Sequence, residues 1–438
     1  MTNLINLSDS YKFSHFLQYP NGTEIIHSYL APRGGEYEKV VMHGLPYILK
    51  KYLNELQVLW ENIEKSEALA KAHGVPFNKE GWQYIHKEHN GRLPIEIKAL
   101  PEGTIVGNKE PLLTIENTDP NCAWLVGYLE TLLLKIWYPI TIASKSLAVK
   151  EVLLKHWEKT ADDVSGIDFA YHNFGDRGSS SVESASVGGV AHLTQFKGTD
   201  NFNCLEHSNK YYGGKYQGFS IPASEHSTVT SWGRENEFEM IENYLETYKS
   251  YPIIACVLDS YDIYKAVDFV TSGKMKERIE SKDYPIFVIR PDSGSPVEVI
   301  SKILQIMLKN GVKGNLNSKG FLTFDKYRII WGDGITPLQI DKILNDICYQ
   351  FMKAFSLSYN PLQGFSAQNF AFGSGGDLMQ NVSRDTLKFA MKCSAIKVNG
   401  EWRDVYKDPI TDQGKKSIRW RVEDSRFVTV FKNGEVLC

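Results

Sequence analysis

The run Ile221-Pro-Ala-Ser-Glu-His-Ser-Thr-Val-Thr-Ser-Trp-Gly233 sets a carboxylate directly before an imidazole, Glu225 then His226. An acid beside a histidine can orient the ring or raise its basicity. An apolar-alternating segment, Tyr216 to Ile221, leads into the pair, and Ser227, Thr228 and Thr230 follow as helix-capping types. The pair therefore reads as a turn from strand to helix. Alone, such a turn carries only a solvated histidine. Other apolar runs end in the same way, however. Ile167 to Tyr171 ends in His172-Asn-Phe-Gly-Asp-Arg-Gly178, and Ile253 to Leu258 in Asp259-Ser-Tyr-Asp262. Pro285 to Ile289 ends in Arg290-Pro-Asp-Ser-Gly294, Tyr327 to Trp331 in Gly332-Asp-Gly334, and Asn369 to Phe372 in Gly373-Ser-Gly-Gly376.

These ends hold complementary groups. Asp259, Asp262, Asp292 and Asp333 supply carboxylates, and Arg177 and Arg290 supply planar cations suited to phosphate or carboxylate. Gly373 to Gly376 reads either as an ordinary turn or as a backbone cradle for an anion. Neither the Walker pattern nor the dinucleotide glycine fingerprint is present. Acids, cations and a glycine cradle together suit a sugar phosphate with a pyrophosphate leaving group, carried as its Mg²⁺ complex. Such a reaction passes through an electron-poor, oxocarbenium-like carbon. Asp259, Asp292 and Asp333 can steady that carbon, and Arg33, Lys392 and Lys407 can take the leaving diphosphate. On their own, the two lysines read as solvated surface charge.

Positioning these groups requires strands whose carboxyl ends converge. From about Gly166 onward, short apolar strands alternate with helical stretches, the signature of parallel βα units. An irregular (β/α) barrel-like domain over 161–380 gathers its reactive groups at those ends. A doubly wound sheet, the alternative, concentrates them at one switch point. The flanking segments are α+β. Glu24 to Leu30, Pro94 to Leu100 and Thr104 to Glu116 read as strands, and Gly44 to Lys65 as a helix. Asn121 to Tyr138 and Ile140 to Thr160 read as two helices broken at Pro139. After Arg384, strands return at Leu387 to Val398, Ser417 to Val422 and Phe427 to Phe431. Residues 1–160 and 381–438 thus make a discontinuous α+β domain.

The totals exclude several classes. A chain of 438 residues, 42% hydrophobic and 23% charged, is ordinary for a globular enzyme. A formal charge of −3 gives no pull toward nucleic acid or membrane. The six cysteines include no Cys-x-x-Cys pair, which points to free thiols in a reducing cytoplasm. The apolar stretch Ala123 to Ile142 is interrupted by Glu130, Lys135 and Pro139, so it reads as a buried helix.

At Asp9-Ser-Tyr-Lys12, Trp137-Tyr-Pro-Ile140, Phe196-Lys-Gly-Thr-Asp200, Pro222 to Gly233, Asp259 to Tyr264, Ile289 to Gly294, Gly332-Asp-Gly334, Phe372 to Gly376 and Lys407-Asp-Pro409, the chain resembles the nicotinamide phosphoribosyltransferase family. The resemblance runs over almost the whole chain. It implies a type II phosphoribosyltransferase that joins nicotinamide to phosphoribosyl pyrophosphate, giving nicotinamide mononucleotide and pyrophosphate. It implies a homodimer in which Phe174 and the partner's Tyr11 sandwich the pyridine ring. Asp200 accepts from the carboxamide and repels a carboxylate, and Arg177 and Asp9 frame the same pocket. His226 matches a histidine phosphorylated from ATP, oriented by Glu225, Asp259 and Asp292. Arg290, Asp292, Gly332 and Asp333 line the ribose. Gly375, Gly376, Arg384 and Lys392 match phosphate contacts, and Arg33, Lys392 and Lys407 match pyrophosphate contacts.

The departures from the family pattern are specific. Asp176 stands where Tyr is usual. Asp377 follows the glycine pair where a third Gly is usual, and Ala390 replaces a Ser that contacts the 5′-phosphate in relatives. An added carboxylate disfavours a terminal phosphate dianion more than a phosphodiester. The alternative is therefore an extended donor, ADP-ribose 1-pyrophosphate, giving NAD directly. If Asp377 points to solvent or pairs with a lysine, ordinary phosphoribosyl transfer stands. An inactive nicotinamide-binding relative would have lost His226, Asp259, Arg290 or Asp292, and all four are retained.

Overall fold

The computed structural model describes residues 2–332, 335–350, 362–411 and 417–438. They fall into two compact units. One comprises Met1–Ser144, Asn209–Lys215 and Val382–Cys438, the other Lys145–Ser208 and Tyr216–Asn381.

The first unit is built on a seven-stranded antiparallel sheet. Its spatial order is Glu401–Asp404, Ala390–Val398, Thr23–Ala31, Leu113–Asn117, Ile95–Ala99, Val428–Lys432 and Glu435–Val436. The C-terminal strands thus enter the sheet on both sides of the N-terminal ones. Thr23–Ala31 is buried over its last six residues, His27 and Ser28 included. Trp82 is 1% exposed and meets Trp124 and Tyr128 edge-on, with centroids 4.9 and 5.1 Å away. Burying a side chain of that size contributes on the order of 2–3 kcal/mol.

Several local expectations change here. The helix expected over Gly44 to Lys65 is an α-turn at Leu45–Ile48 that widens into a π-turn at Leu49–Asn54, and a new helix starts at Trp60. Pro139 breaks nothing. It lies in the first turn of Trp137–Thr160, where a missing N–H costs no intrahelical bond. Thr104 to Glu116 divides into Ile105–Gly107 and Leu113–Asn117. Residues 417–422 form no strand. They are held by side chains instead: the Val422 N–H donates to His27 Nε2 at 3.1 Å, and Arg421 grips both oxygens of Glu116. The helical stretch Glu130–Thr160 is long and apolar enough to cross a membrane, but 67% of its apolar window is buried inside the protein.

The second unit is a curled parallel sheet. Its strands are β1 (Tyr171–Asn173), β2 (Gly198–Thr199), β3 (Ile253–Val257), β4 (Ile286–Arg290), β5 (Tyr327–Trp331) and β6 (Phe370–Ser374). Their spatial order is β2-β1-β6-β5-β4-β3, parallel throughout. The ring is closed by the extended segment 219–223, which bridges Gly198 through Phe219 and Ala255 through Ala223. This segment never becomes a regular strand, because Pro222 has no N–H to give a ladder. It holds on through Thr199 N–H to Phe219 O (2.9 Å) and Ala255 N–H to Pro222 O (2.9 Å). Ile167 to Phe169, read as the start of a strand, belongs instead to a 3₁₀ turn, Ser165–Phe169, ahead of β1. Amphipathic helices follow the strands. Pro296–Lys309, for example, buries Val299, Ile300, Ile303, Leu304 and Met307 at helical spacing.

Candidate active site

At the carboxyl end of β1, Phe174 presents its ring beside β6. A Cβ added to Gly373 would fall 2.1 Å from Phe174 Cε2. Only glycine there lets the ring lie flat on the strand. The Arg290 guanidinium, at the end of β4, sits 4.9 Å from the centre of that ring, and His172 packs beside it with centroids 4.6 Å apart. The buried Arg290 Nε–H has no hydrogen-bond partner among the described residues, so it remains a donor for a ligand oxygen. Gly332 lies beside that donor: a Cβ at this position would be in ordinary contact with it at 3.7 Å.

Phe174, His172 and Arg290 line a cavity of about 590 Å³. Asp200 reaches it from just beyond β2. Burial alone would raise the Asp200 carboxyl. The hydrogen bond and charge of His172, with Ser220 and Arg290, outweigh burial and hold it below its usual range. The result is a flat, cation-capped slot with an ionised carboxylate at its edge. Asp176 and Arg177 lie exposed on the following turn.

His226 opens the short helix His226–Thr230. Its Nε2 lies 3.0 Å from Asp259 Oδ1, and Asp259 is almost fully buried whereas the imidazole is 43% exposed. The second Asp259 oxygen accepts from Asp292 N–H (2.9 Å) and Ser293 Oγ (2.7 Å). Asp259 is therefore fixed on both oxygens and in turn fixes the ring. Glu225, expected to orient the imidazole, does something else: its Oε1 accepts from Ser227, and its N–H donates to Thr228 Oγ1. The Asp292 side chain faces Arg290, with Nη2 to Oδ1 at 3.8 Å, and contacts Asp259 only through its backbone. Asp262 is a helix cap, accepting from Tyr264 and Lys265 N–H. Asp333 lies outside the described residues.

After β6 the chain turns through Gly375 and Gly376 into a single helical turn, Gly376–Gln380. Asp377 does not face solvent alone. Lys145 Nζ donates to its Oδ2 (2.6 Å) and to its backbone carbonyl (2.7 Å), and Asn381 Nδ2 donates to Oδ1 (2.8 Å). Lys145 is 4% exposed. The extra negative charge read from the sequence is thus balanced by a buried ammonium.

In the first unit, Lys392 on strand Ala390–Val398 is held below the ordinary lysine range. Burial is the largest cause, followed by the like charge of Arg33 and, after an opposing contribution from Glu130, those of Lys407 and Arg384. Arg33, Arg384 and Lys407 therefore all lie close enough to Lys392 for their charge to be felt. Arg33 is also tied to the chain, with Nε donating to Lys388 O at 3.2 Å. Asp9 accepts from Thr131 Oγ1 at 2.7 Å, Tyr11 is 59% exposed, and Ala390 is buried.

The sequence reading passed over His172, Ser220 and Lys145. His172 lay in plain view: two positions before Phe174 on a strand, it must share that residue's face. Lys145 gave no such signal, because its partner is 232 residues away.

The chain has counterparts among known proteins. Residues 169–435 match the model of the nicotinate phosphoribosyltransferase (NAPRTase) family, and residues 3–97 match that of the nicotinamide phosphoribosyltransferase N-terminal domain. A nicotinamide phosphoribosyltransferase of Xanthomonas campestris pv. campestris is 42% identical, over 100% of this chain and 96% of that protein. One from Mycoplasma genitalium is 32% identical, over 97% and 96%. Among solved structures, the nicotinate-nucleotide pyrophosphorylase of Pyrococcus furiosus superposes with a TM-score of 0.57 at 14% identity, covering 100% of this chain and 93% of that one. Human nicotinic acid phosphoribosyltransferase gives 0.52 at 13% identity, covering 98% and 90%. At such identities the structures speak for the fold alone.

Proposed function

The chain belongs to the nicotinamide phosphoribosyltransferase family, and from that premise we propose that it joins nicotinamide to the ribosyl 5-phosphate of phosphoribosyl pyrophosphate. The products are nicotinamide mononucleotide and pyrophosphate, a step of NAD salvage. The observation that carries this reading is the flat seat made by Phe174 and Arg290 with Asp200 at its edge. A pyridine ring fits against Phe174, and an ionised Asp200 accepts from the carboxamide. Tyr11 of the partner subunit covers the other face of the ring in a homodimer.

The donor carbon develops positive charge as its bond to pyrophosphate lengthens, and the Asp292 carboxylate steadies it. Arg33, Lys392 and Lys407 match the groups that take the departing diphosphate, whose charge Mg²⁺ would partly offset, and Arg384 matches a phosphate contact. Both Asp259 oxygens are already engaged by the protein, so that residue serves His226 rather than the metal. With Nε2 directed at Asp259, the exposed imidazole leaves Nδ1 for phosphoryl transfer from ATP. The Lys145–Asp377 pair favours phosphoribosyl pyrophosphate over the extended ADP-ribosyl donor, because the repulsion that motivated the latter is neutralised. All six cysteines are unpaired, in keeping with a reducing cytoplasm.

Steady-state kinetics test this reading. Phe174→Ala should raise the KM for nicotinamide about tenfold, the effect of roughly 1.4 kcal/mol of lost stacking; an unchanged KM counts against the seat. His226→Ala should abolish any ATP-dependent gain in nicotinamide affinity, and a gain that survives removes the phosphohistidine role.

A further inference from the structure

Within the nicotinamide seat proposed above, on which this inference rests, Asp200 is not free to turn. His172 Nε2 lies 2.8 Å from Asp200 Oδ1, and Ser220 Oγ donates to the same oxygen. Among the described residues, both side-chain hydrogen bonds to this carboxylate end on Oδ1. Oδ2 takes part in neither, and Asp200 lines the cavity with its side chain 41% exposed.

Both donors are built into the barrel. His172 is the middle residue of β1 and pairs with Gly198 of β2. A Cβ at Gly198 would fall 2.7 Å from His172 Nδ1, so the glycine makes room for the ring to lie against the neighbouring strand. Ser220 belongs to the closing segment, one residue after the bridge from Phe219 to Gly198. Two donors from two walls thus converge on one carboxylate oxygen.

We propose that His172, with Ser220, is the specificity-determining positioning device of this site: the two residues aim Asp200 Oδ2 at the pocket as a pure acceptor. The physical consequence is selective. A carboxylate anchored on one oxygen cannot rotate away from a ligand N–H. An ionised carboxylate accepts but cannot donate, so an amide NH₂ is welcomed and a ring carboxylate is repelled. If the anchor is lost, Asp200 can rotate, or take up a proton and donate it to an acid. The penalty against nicotinate then falls, and part of the grip on nicotinamide goes with it.

His172 also buttresses Phe174, so the test must separate its ring from its hydrogen bond. His172→Phe keeps an aromatic ring beside Phe174 and deletes the donor. His172→Gln keeps an N–H donor and deletes the ring. The readout is the ratio of kcat/KM for nicotinamide to that for nicotinate, at saturating phosphoribosyl pyrophosphate. H172F should lower the ratio at least about tenfold, mainly through the KM for nicotinamide, while H172Q holds it within about threefold. Ser220→Ala, at an exposed position, should lower the ratio about threefold without touching the ring, and it decides the matter if H172F fails to fold. An unchanged ratio in H172F or S220A, or an equal fall in H172F and H172Q, overturns the proposal. Asp200→Asn separates the two levels. If D200N keeps the preference for the amide, the assignment of Asp200 itself fails. If D200N loses the preference while H172F and S220A keep it, only the positioning device fails.

Discussion

Lys145 and Asp377 form a buried ion pair, with Nζ 2.6 Å from Oδ2 and side-chain exposures of 4% and 14%. Because the lysine also donates to the Asp377 backbone carbonyl, the pair ties the turn after β6 to the long helix that carries Lys145. Removing one partner leaves a charge in the interior without compensation. Asp377→Ala is therefore expected to lower unfolding stability by about 3–5 kcal/mol, whereas Lys145→Met combined with Asp377→Leu should recover most of that loss. Chemical denaturation of the two variants measures both. A loss below about 1 kcal/mol in the single variant would show the pair to be solvated.

Gly373 and Phe174 supply a second test. A methyl group at Gly373 has no room beside the ring, with 2.1 Å to Cε2. The Gly373 φ is not positive, so the substitution acts through the ring and not through backbone strain. Gly373→Ala is expected to displace Phe174 and raise the KM for nicotinamide about tenfold or more. The KM for phosphoribosyl pyrophosphate should change much less. Equal changes in both would mean that the whole strand end had moved.

Lys392 sets stability against binding. Its folded pKa is lowered by burial and by the neighbouring cations. The unfolded chain therefore binds more protons between the folded and the unfolded pKa, so the free protein gains stability as pH rises through that window. Below that window the cost of holding the charge is present in full. Lys392→Met should then leave the Tm of the free protein unchanged or raised, while the KM for the pyrophosphate donor rises about tenfold or more. A variant that unfolds earlier and binds the donor normally would contradict this assignment.

Much of this site was legible because the parallel strands read as short, mainly apolar runs that end in polar or glycine-rich turns. Tyr327–Trp331 begins and ends where its sequence says, and Ile286–Arg290 nearly so. The closing segment was harder: Pro222 removes a ladder donor, so an apolar alternation that reads as a strand becomes an extended strap. Side-chain roles were read less well than positions. Glu225 is adjacent to His226 in sequence, yet its carboxylate turns to Ser227 while Asp259 takes the imidazole. Asp262 serves as a helix cap, a role that a carboxylate list does not reveal. Asp377 was visible as a departure from the family pattern. Its neutralising partner was not, since long-range pairing leaves no local mark.

The central claim is the identity of the transfer. Purified protein incubated with nicotinamide and Mg²⁺ should be given phosphoribosyl pyrophosphate in one reaction and ADP-ribose 1-pyrophosphate in another, with products resolved by mass. Nicotinamide mononucleotide and pyrophosphate from the first donor, at a rate far above that with the second, are the predicted result. Turnover with the ADP-ribosyl donor alone, giving NAD directly, would contradict it.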